Sequence, residues 1–119
     1  RMFAPRTLVP AEIGKMGAKI CDSREEAAEG ADVVMGLRIQ LERQHCGNFP
    51  SLGEYARFYG VNDEIMKYAS KNAIVMHPGP VNRGVELTSG LIDGESSLIE
   101  DQVLSGIAVR MAVLKLLAE

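Results

Sequence analysis

Two stretches carry residues whose types and spacing suit ligand chemistry. In "RIQLER" (38–43), Arg38, Gln40 and Glu42 alternate along the chain. A guanidinium can grip a carboxylate through two parallel hydrogen bonds, and Gln40 adds an amide donor or acceptor. The plainer role for Arg38 is pairing with Glu42 to tie down a loop. The two roles are compatible, because a carboxylate can fix the guanidinium that grips a ligand. The second stretch is "VMHPGPVNRGVEL" (75–87). Pro78 and Pro80 supply no N–H and stiffen the backbone, so this turn presents carbonyl oxygens in fixed directions. Fixed carbonyls suit a ligand with N–H or ammonium donors. Gly79 allows close approach to the backbone, and Gly79–Pro80 is expected to be cis. His77 is a candidate base, although a lone histidine at a strand end is more often structural. Arg83 and Glu86 can bind anions or brace the loop, and bracing is the default for both.

Elements that alternate along the chain must position these residues. "MFA" (2–4) and "AKIC" (18–21) read as short strands, and "PAEIGKMG" (10–17) as a short helix between Pro10 and Gly17. "SREEAAEG" (23–30) carries a capping box, Ser23 with Glu26. "ADVVMGL" (31–37) reads as a strand buried on both faces. "GNFPSLGE" (47–54) reads as a loop, and one or two helices are expected within 51–70, where "NDEIMKYAS" has an asparagine start and an acidic first turn. "AIVMH" (73–77) is the next strand. Ser97 with Glu100 reads as a further capping box, opening a long helix over 98–117. Strands alternating with helices imply βαβ units and a mostly parallel, doubly wound sheet, an α/β class. In such sheets ligands bind beyond the carboxyl ends of strands. That rule selects the two stretches above, and both should open on one edge.

Bulk properties exclude several classes. The 119 residues suit one domain, and 46% apolar with 24% charged residues is ordinary for a globular chain. The net charge of −3 argues against a nucleic-acid partner, which selects for basic domains. No apolar run reaches the roughly 20 residues needed to cross a bilayer. No signal peptide precedes the first strand, but residue 1 is expected to sit inside a strand already, with the true start upstream. Cys21 and Cys46 form neither a metal spacing nor a disulfide framework, which points to free thiols in a reducing cytosol. His45 and Cys46 are adjacent, with no third ligand or triad partner evident. The glycines match neither a Walker loop nor a dinucleotide fingerprint. The six methionines read as core filler.

"DVVMGLRIQLERQ" and "VMHPGPVNRGVEL" closely resemble the aspartate-binding half of the aspartate carbamoyltransferase family. "FAPRTLVP" and "GIAVRMAVL" fit the same family, so the resemblance runs along the whole chain. Ornithine carbamoyltransferases usually carry an HCLP turn where this chain has "HPGP". The resemblance implies transfer of a carbamoyl group from carbamoyl phosphate to L-aspartate in pyrimidine synthesis, in the cytoplasm, with no metal and no organic cofactor. It implies that Arg38 binds the aspartate side-chain carboxylate, that Gln40 shares the pocket and that Glu42 orients the arginine. It implies that the carbonyls of Pro78 and Gly79 face the carbamoyl nitrogen and the aspartate amine, with His77, Pro80 and Arg83 in support. Residues 1–97 would then form a Rossmann-like aspartate-binding unit whose first strand is expected upstream of Arg1. Residues 98–119 would form a helix packed on a carbamoyl-phosphate half that these residues do not contain.

That half should supply an S-T-R-T motif and further catalytic groups, and the arginine for the α-carboxylate is expected just upstream of residue 1. The family's pocket also borrows a serine and a lysine from a neighbouring subunit of a homotrimer. Dihydroorotase or regulatory chains are further partners the resemblance allows. On this view the 119 residues hold roughly half of one pocket, as a fragment, a truncated gene product or one piece of a split protein. Two other readings stay open: a stand-alone binding or interaction module, and a transcarbamylase for a different amino acid.

Overall fold

The structure, a computed structural model, describes residues 1–40 and 51–118. At its centre are two parallel strands, β1 (Val33–Met35) and β2 (Ile74–Met76). Val34 sits opposite Val75 in the register, and the bond from Gly36 N–H to the Met76 carbonyl carries the pairing one residue further. β-Branched residues favour this pleated conformation. Parallel strands need a crossover, and here it contains α2 (Leu52–Tyr59) and α3 (Asp63–Met66). Before β1 lies α1 (Arg24–Ala28), which packs against α3. After β2 come α4 (Ser89–Ile92) and the twenty-residue α5 (Ile99–Ala118).

Short polar side chains start the helices, at Ser23 and Asn62 where the pattern predicts and at Ser51 within the stretch 47–54 that reads as a loop, whose residues 52–54 are helical. Ser23 Oγ accepts from Glu26 N–H, Ser51 Oγ from Glu54 N–H, and Asn62 Oδ1 from Ile65 N–H. The Ser23–Glu26 box closes one residue early, because Glu26 Oε2 accepts from Asp22 N–H at 2.9 Å. At the last helix the expected cap is displaced. Ser97 serves as a bridge partner of Val75, and the first helical bond runs from Gln102 N–H to the Leu98 carbonyl. The bridge is made by Ser97's neighbours, with Val75 N–H donating to the Ser96 carbonyl and Leu98 N–H to the Val75 carbonyl, while Ser97 N–H turns back to the Gly94 carbonyl.

Other expectations are corrected. The strands expected at 2–4 and 18–21 shrink to a single parallel bridge between Met2 and Ile20. The helix expected over 10–17 is a 3-10 turn, Ile13–Met16, ending on Gly17. β1 is not buried on both faces, since Val33 and Met35 are 46% and 48% exposed. Those two side chains line an open cleft with Met2, Phe3 and Leu8 instead of packing under a helix. A run of apolar residues encodes strand preference, and what covers each face depends on distant segments. The core lies on the other side: Val75, Leu87, Leu91 and Ile99, flanked by Val61, Met66, Val81 and Ile92.

Candidate functional site

Both strands end on the same edge, and the segments leaving them touch. Gly36 closes β1 where space is smallest. A Cβ there would stand 3.1 Å from His77 Cδ2 and 3.2 Å from Leu87 Cγ, so any side chain would force these two buried side chains to shift by a few tenths of an ångström. Beyond it, Arg38 and Gln40 are half-buried and Ile39 is buried. The alternation turns the Arg38 and Gln40 side chains away from the buried side that Ile39 occupies.

The exit from β2 is the proline turn. Gly79–Pro80 is cis, as expected from the sequence, and Gly79 has φ +69°, a left-handed conformation that disfavours any side chain. Pro78 and Pro80 are exposed. His77 is fully buried, and its ring works within the turn: Nδ1 accepts from Gly79 N–H at 3.0 Å. Its backbone N–H donates to Gln102 Oε1, from the first turn of α5, at 2.8 Å. With Nδ1 as acceptor, the proton of the neutral ring sits on Nε2, 3.9 Å from Glu86 Oε2. Burial holds the imidazole below its ordinary value, with the Glu86 carboxylate opposing.

That shift has a stability consequence. In the unfolded chain His77 gains a proton near pH 6.5. In the fold it resists protonation to lower pH, so the unfolded state binds more protons in that interval. The contribution is complete above pH 6.5 and is lost as pH falls towards the folded value. Urea midpoints of the wild-type protein should therefore fall between pH 7.5 and pH 5.5. His77→Asn keeps an acceptor in the Nδ1 position without titrating, and should lose less over the same interval. Equal losses in the two proteins would show that His77 titrates normally.

Glu86 is 3% exposed and accepts three N–H groups. Oε1 takes Ile39 N–H at 2.8 Å and Asn82 Nδ2–H at 2.7 Å, and Oε2 takes Asn82 N–H at 2.7 Å. Arg83 is exposed and holds Asp93 through two bonds of 2.6 and 2.7 Å. That pair draws the Asp93 carboxyl below its usual range, but exposed pairs of this kind add little stability.

A cleft of about 630 Å³ opens at the end of β1. Arg38, Gln40 and Glu86 line it, with Arg1, Arg24 and Tyr55. Tyr55 is buried there against Tyr59, with ring centroids 5.3 Å apart, and desolvation followed by the nearby Glu86 charge pushes its hydroxyl up to about 12. Pro78, Gly79 and Pro80 are not among the walls of this cleft. The structure thus puts Arg38 and Gln40 in one cleft wall, while the proline turn leaves the neighbouring strand outside that wall. Glu42, His45 and Cys46 lie outside the described residues. Sequence reasoning missed Asn82 as a partner of Glu86, although their four-residue spacing was a usable signal. It also missed Gln102 and Asp93, whose roles come from chain segments that meet only on folding.

A parallel α/β unit with polar groups beyond the carboxyl ends of adjacent strands is a ligand-binding architecture. The family model described as "Aspartate/ornithine carbamoyltransferase, Asp/Orn binding domain" matches residues 9–117, and the chain belongs to that family. It is 56% identical over 119 residues to a protein of Caldanaerobacter subterraneus subsp. tengcongensis named aspartate carbamoyltransferase catalytic subunit, covering all of this chain and 39% of that protein. A protein of the same name from Ruminiclostridium cellulolyticum is 59% identical over 113 residues, 95% of this chain and 36% of the relative. The chain therefore spans well under half the length of these relatives. Among solved structures, ornithine carbamoyltransferase from Burkholderia thailandensis superposes with a TM-score of 0.68 at 30% identity, covering 91% of this chain and 32% of that one. The fold is accordingly of the Rossmann-like α/β class.

Proposed function

We propose that this chain is the aspartate-binding part of an aspartate carbamoyltransferase, which moves the carbamoyl group of carbamoyl phosphate onto the amine of L-aspartate. The observation that carries this reading is Arg38 and Gln40 in the cleft wall beyond β1, with the carbonyl-rich proline turn on the adjacent strand. The 56% and 59% identical relatives, both named for aspartate, favour it over ornithine. Arg38 grips the side-chain carboxylate of aspartate and Gln40 adds an amide contact. Glu42 orients the guanidinium. The Pro78 and Gly79 carbonyls accept N–H groups from the amine and the carbamoyl nitrogen, and His77, Pro80 and Arg83 hold the turn in shape.

In the reaction the neutral amine attacks the carbamoyl carbon. A C–N bond forms, the C–O bond to phosphate breaks, and the amine proton passes to the departing phosphate. Holding both reactants in one geometry converts a bimolecular encounter into a local one, and fixed carbonyl dipoles need no reorganisation during the step. Residues 1–97 bind aspartate and 98–119 pack against a carbamoyl-phosphate unit elsewhere in the polypeptide. The complete enzyme works in pyrimidine synthesis, in the cytoplasm, as a homotrimer.

The test is product analysis of the full-length chain offered carbamoyl phosphate with L-aspartate, L-ornithine or N-acetyl-L-ornithine. N-carbamoyl-L-aspartate should dominate. Preference for an ornithine derivative, or no carbamoylated product at all, overturns the reading. The isolated 119 residues should show no turnover, because the groups that bind carbamoyl phosphate lie outside them. Product from the purified 119-residue chain, free of host enzyme, would contradict this division of labour.

A further inference from the structure

The most densely bonded polar group of the described residues is the Asn82–Glu86 pair, and it acts on a segment far away in sequence. Glu86 Oε1 accepts from Ile39 N–H at 2.8 Å. Asn82 Nδ2 donates to the Ile39 carbonyl at 3.2 Å. Both backbone groups of Ile39 are therefore taken by two side chains of the β2 loop. The pair is locked internally by the two Asn82–Glu86 bonds of 2.7 Å. Ile39 stands between Arg38 and Gln40 and is itself buried. Strand pairing ends with the Gly36–Met76 bond. From there, Asn82 and Glu86 join the two exits.

We propose that Asn82 and Glu86 are positioning residues for the dicarboxylate: they set the height and peptide orientation of Arg38–Gln40 relative to the His77–Pro80 turn. This rests on the function proposed above. A merely stabilising pair needs no particular partner, and burying a carboxylate is costly unless its bonds are complete. Here the pair holds both peptide units that link Arg38 to Gln40, the first through the Ile39 N–H and the second through the Ile39 carbonyl. Rotating either peptide would swing the neighbouring side chain by ångströms, and displacements of that size decide whether reactants meet.

The experiment uses the full-length enzyme with Glu86→Gln, Asn82→Ala and the double variant. Glu86→Gln preserves shape but turns one acceptor into a donor that faces another N–H. Aspartate KM should rise about tenfold or more in each single variant, with carbamoyl phosphate KM within about twofold and kcat within about threefold. The double variant should be little worse than the poorer single one, since both act through Ile39. Calorimetry with succinate, which keeps both carboxylates and lacks the amine, should show the same weakening in the presence of carbamoyl phosphate. Amide exchange at Ile39 should accelerate about tenfold in Glu86→Gln while Val75 stays protected. An unchanged aspartate KM in a folded variant, or equal changes for both substrates, overturns the proposal. If Glu86→Gln fails to fold, Asn82→Ala and the exchange at Ile39 decide. If the wild-type enzyme does not carbamoylate aspartate, the function above fails, and unaltered Ile39 exchange would remove the clamp as well.

Discussion

Replacing Arg38 with alanine in the full-length enzyme is expected to raise the aspartate KM strongly and lower kcat/KM, while carbamoyl phosphate binding stays nearly unchanged. The reason is where Arg38 stands. It is half-buried in the wall of the cleft beyond β1, next to Gln40, with Ile39 anchored to the neighbouring loop between them. A planar guanidinium there can form two parallel bonds to one carboxylate in partly desolvated surroundings. Truncating one partner of such a pair costs ~2–5 kcal/mol, much of it from the charge left without its counterpart. At the lower bound that is about a 30-fold loss in kcat/KM for aspartate. Arg38→Lys should recover little, because an ammonium cannot make the paired contact. Steady-state kinetics with each substrate varied in turn decide the matter. Near wild-type aspartate kinetics in Arg38→Ala would mean that the guanidinium only ties down its own loop.

The isolated 119-residue chain is expected to self-associate through α5. Ile99 is the only buried residue of that helix among the described residues, and from Ile107 to Leu117 every residue is exposed. Leu104, Ile107, Met111 and Leu114 are spaced three, four and three apart, which sets them along one seam of the helix. All four are exposed, Leu104 and Leu114 by 69% and 68%. Burying a side chain of this size yields ~1.5–3 kcal/mol. Four from each of two copies yield roughly 12–24 kcal/mol before the association cost of ~4–15 kcal/mol. The difference runs from about −3 to about +20 kcal/mol, and its middle matches the roughly 8 kcal/mol of a 1 μM dissociation constant. Sedimentation velocity of the wild type against a Leu104→Glu/Met111→Glu variant is the measurement. The variant should shift towards monomer without losing the core, which these side chains do not enter. A cooperatively unfolding wild-type monomer at those concentrations would refute the expectation, and would mean that the helix folds back over its own sheet.

Much of this protein is set within short windows of sequence. Ser23, Ser51 and Asn62 start helices because a short polar side chain reaches an N–H three residues on, and nothing distant is needed. "AIVMH" forms a strand, "HPGP" turns with a cis Gly79–Pro80 bond, and the apolar stretch after Leu98 is helical, all from local preference and periodicity. That both stretches leave the sheet on one edge was equally readable, because parallel strands end on the same side. Tertiary structure decided the rest. The covering of β1 depends on where residues 2–8 lie, so a run that reads as doubly buried leaves Val33 and Met35 half exposed. Met2 and Ile20 keep only a bridge, since a strand exists only as far as its neighbour pairs with it. Asp93 finds Arg83, Gln102 finds the His77 backbone, and Glu86 finds Ile39, over separations of 10 to 47 residues. Local preference is written in neighbouring residues and survives being read in isolation. Hydrogen bonds of buried polar groups are not, because a carboxylate such as Glu86 accepts any N–H that the fold brings within reach, and only the packed chain determines which one arrives.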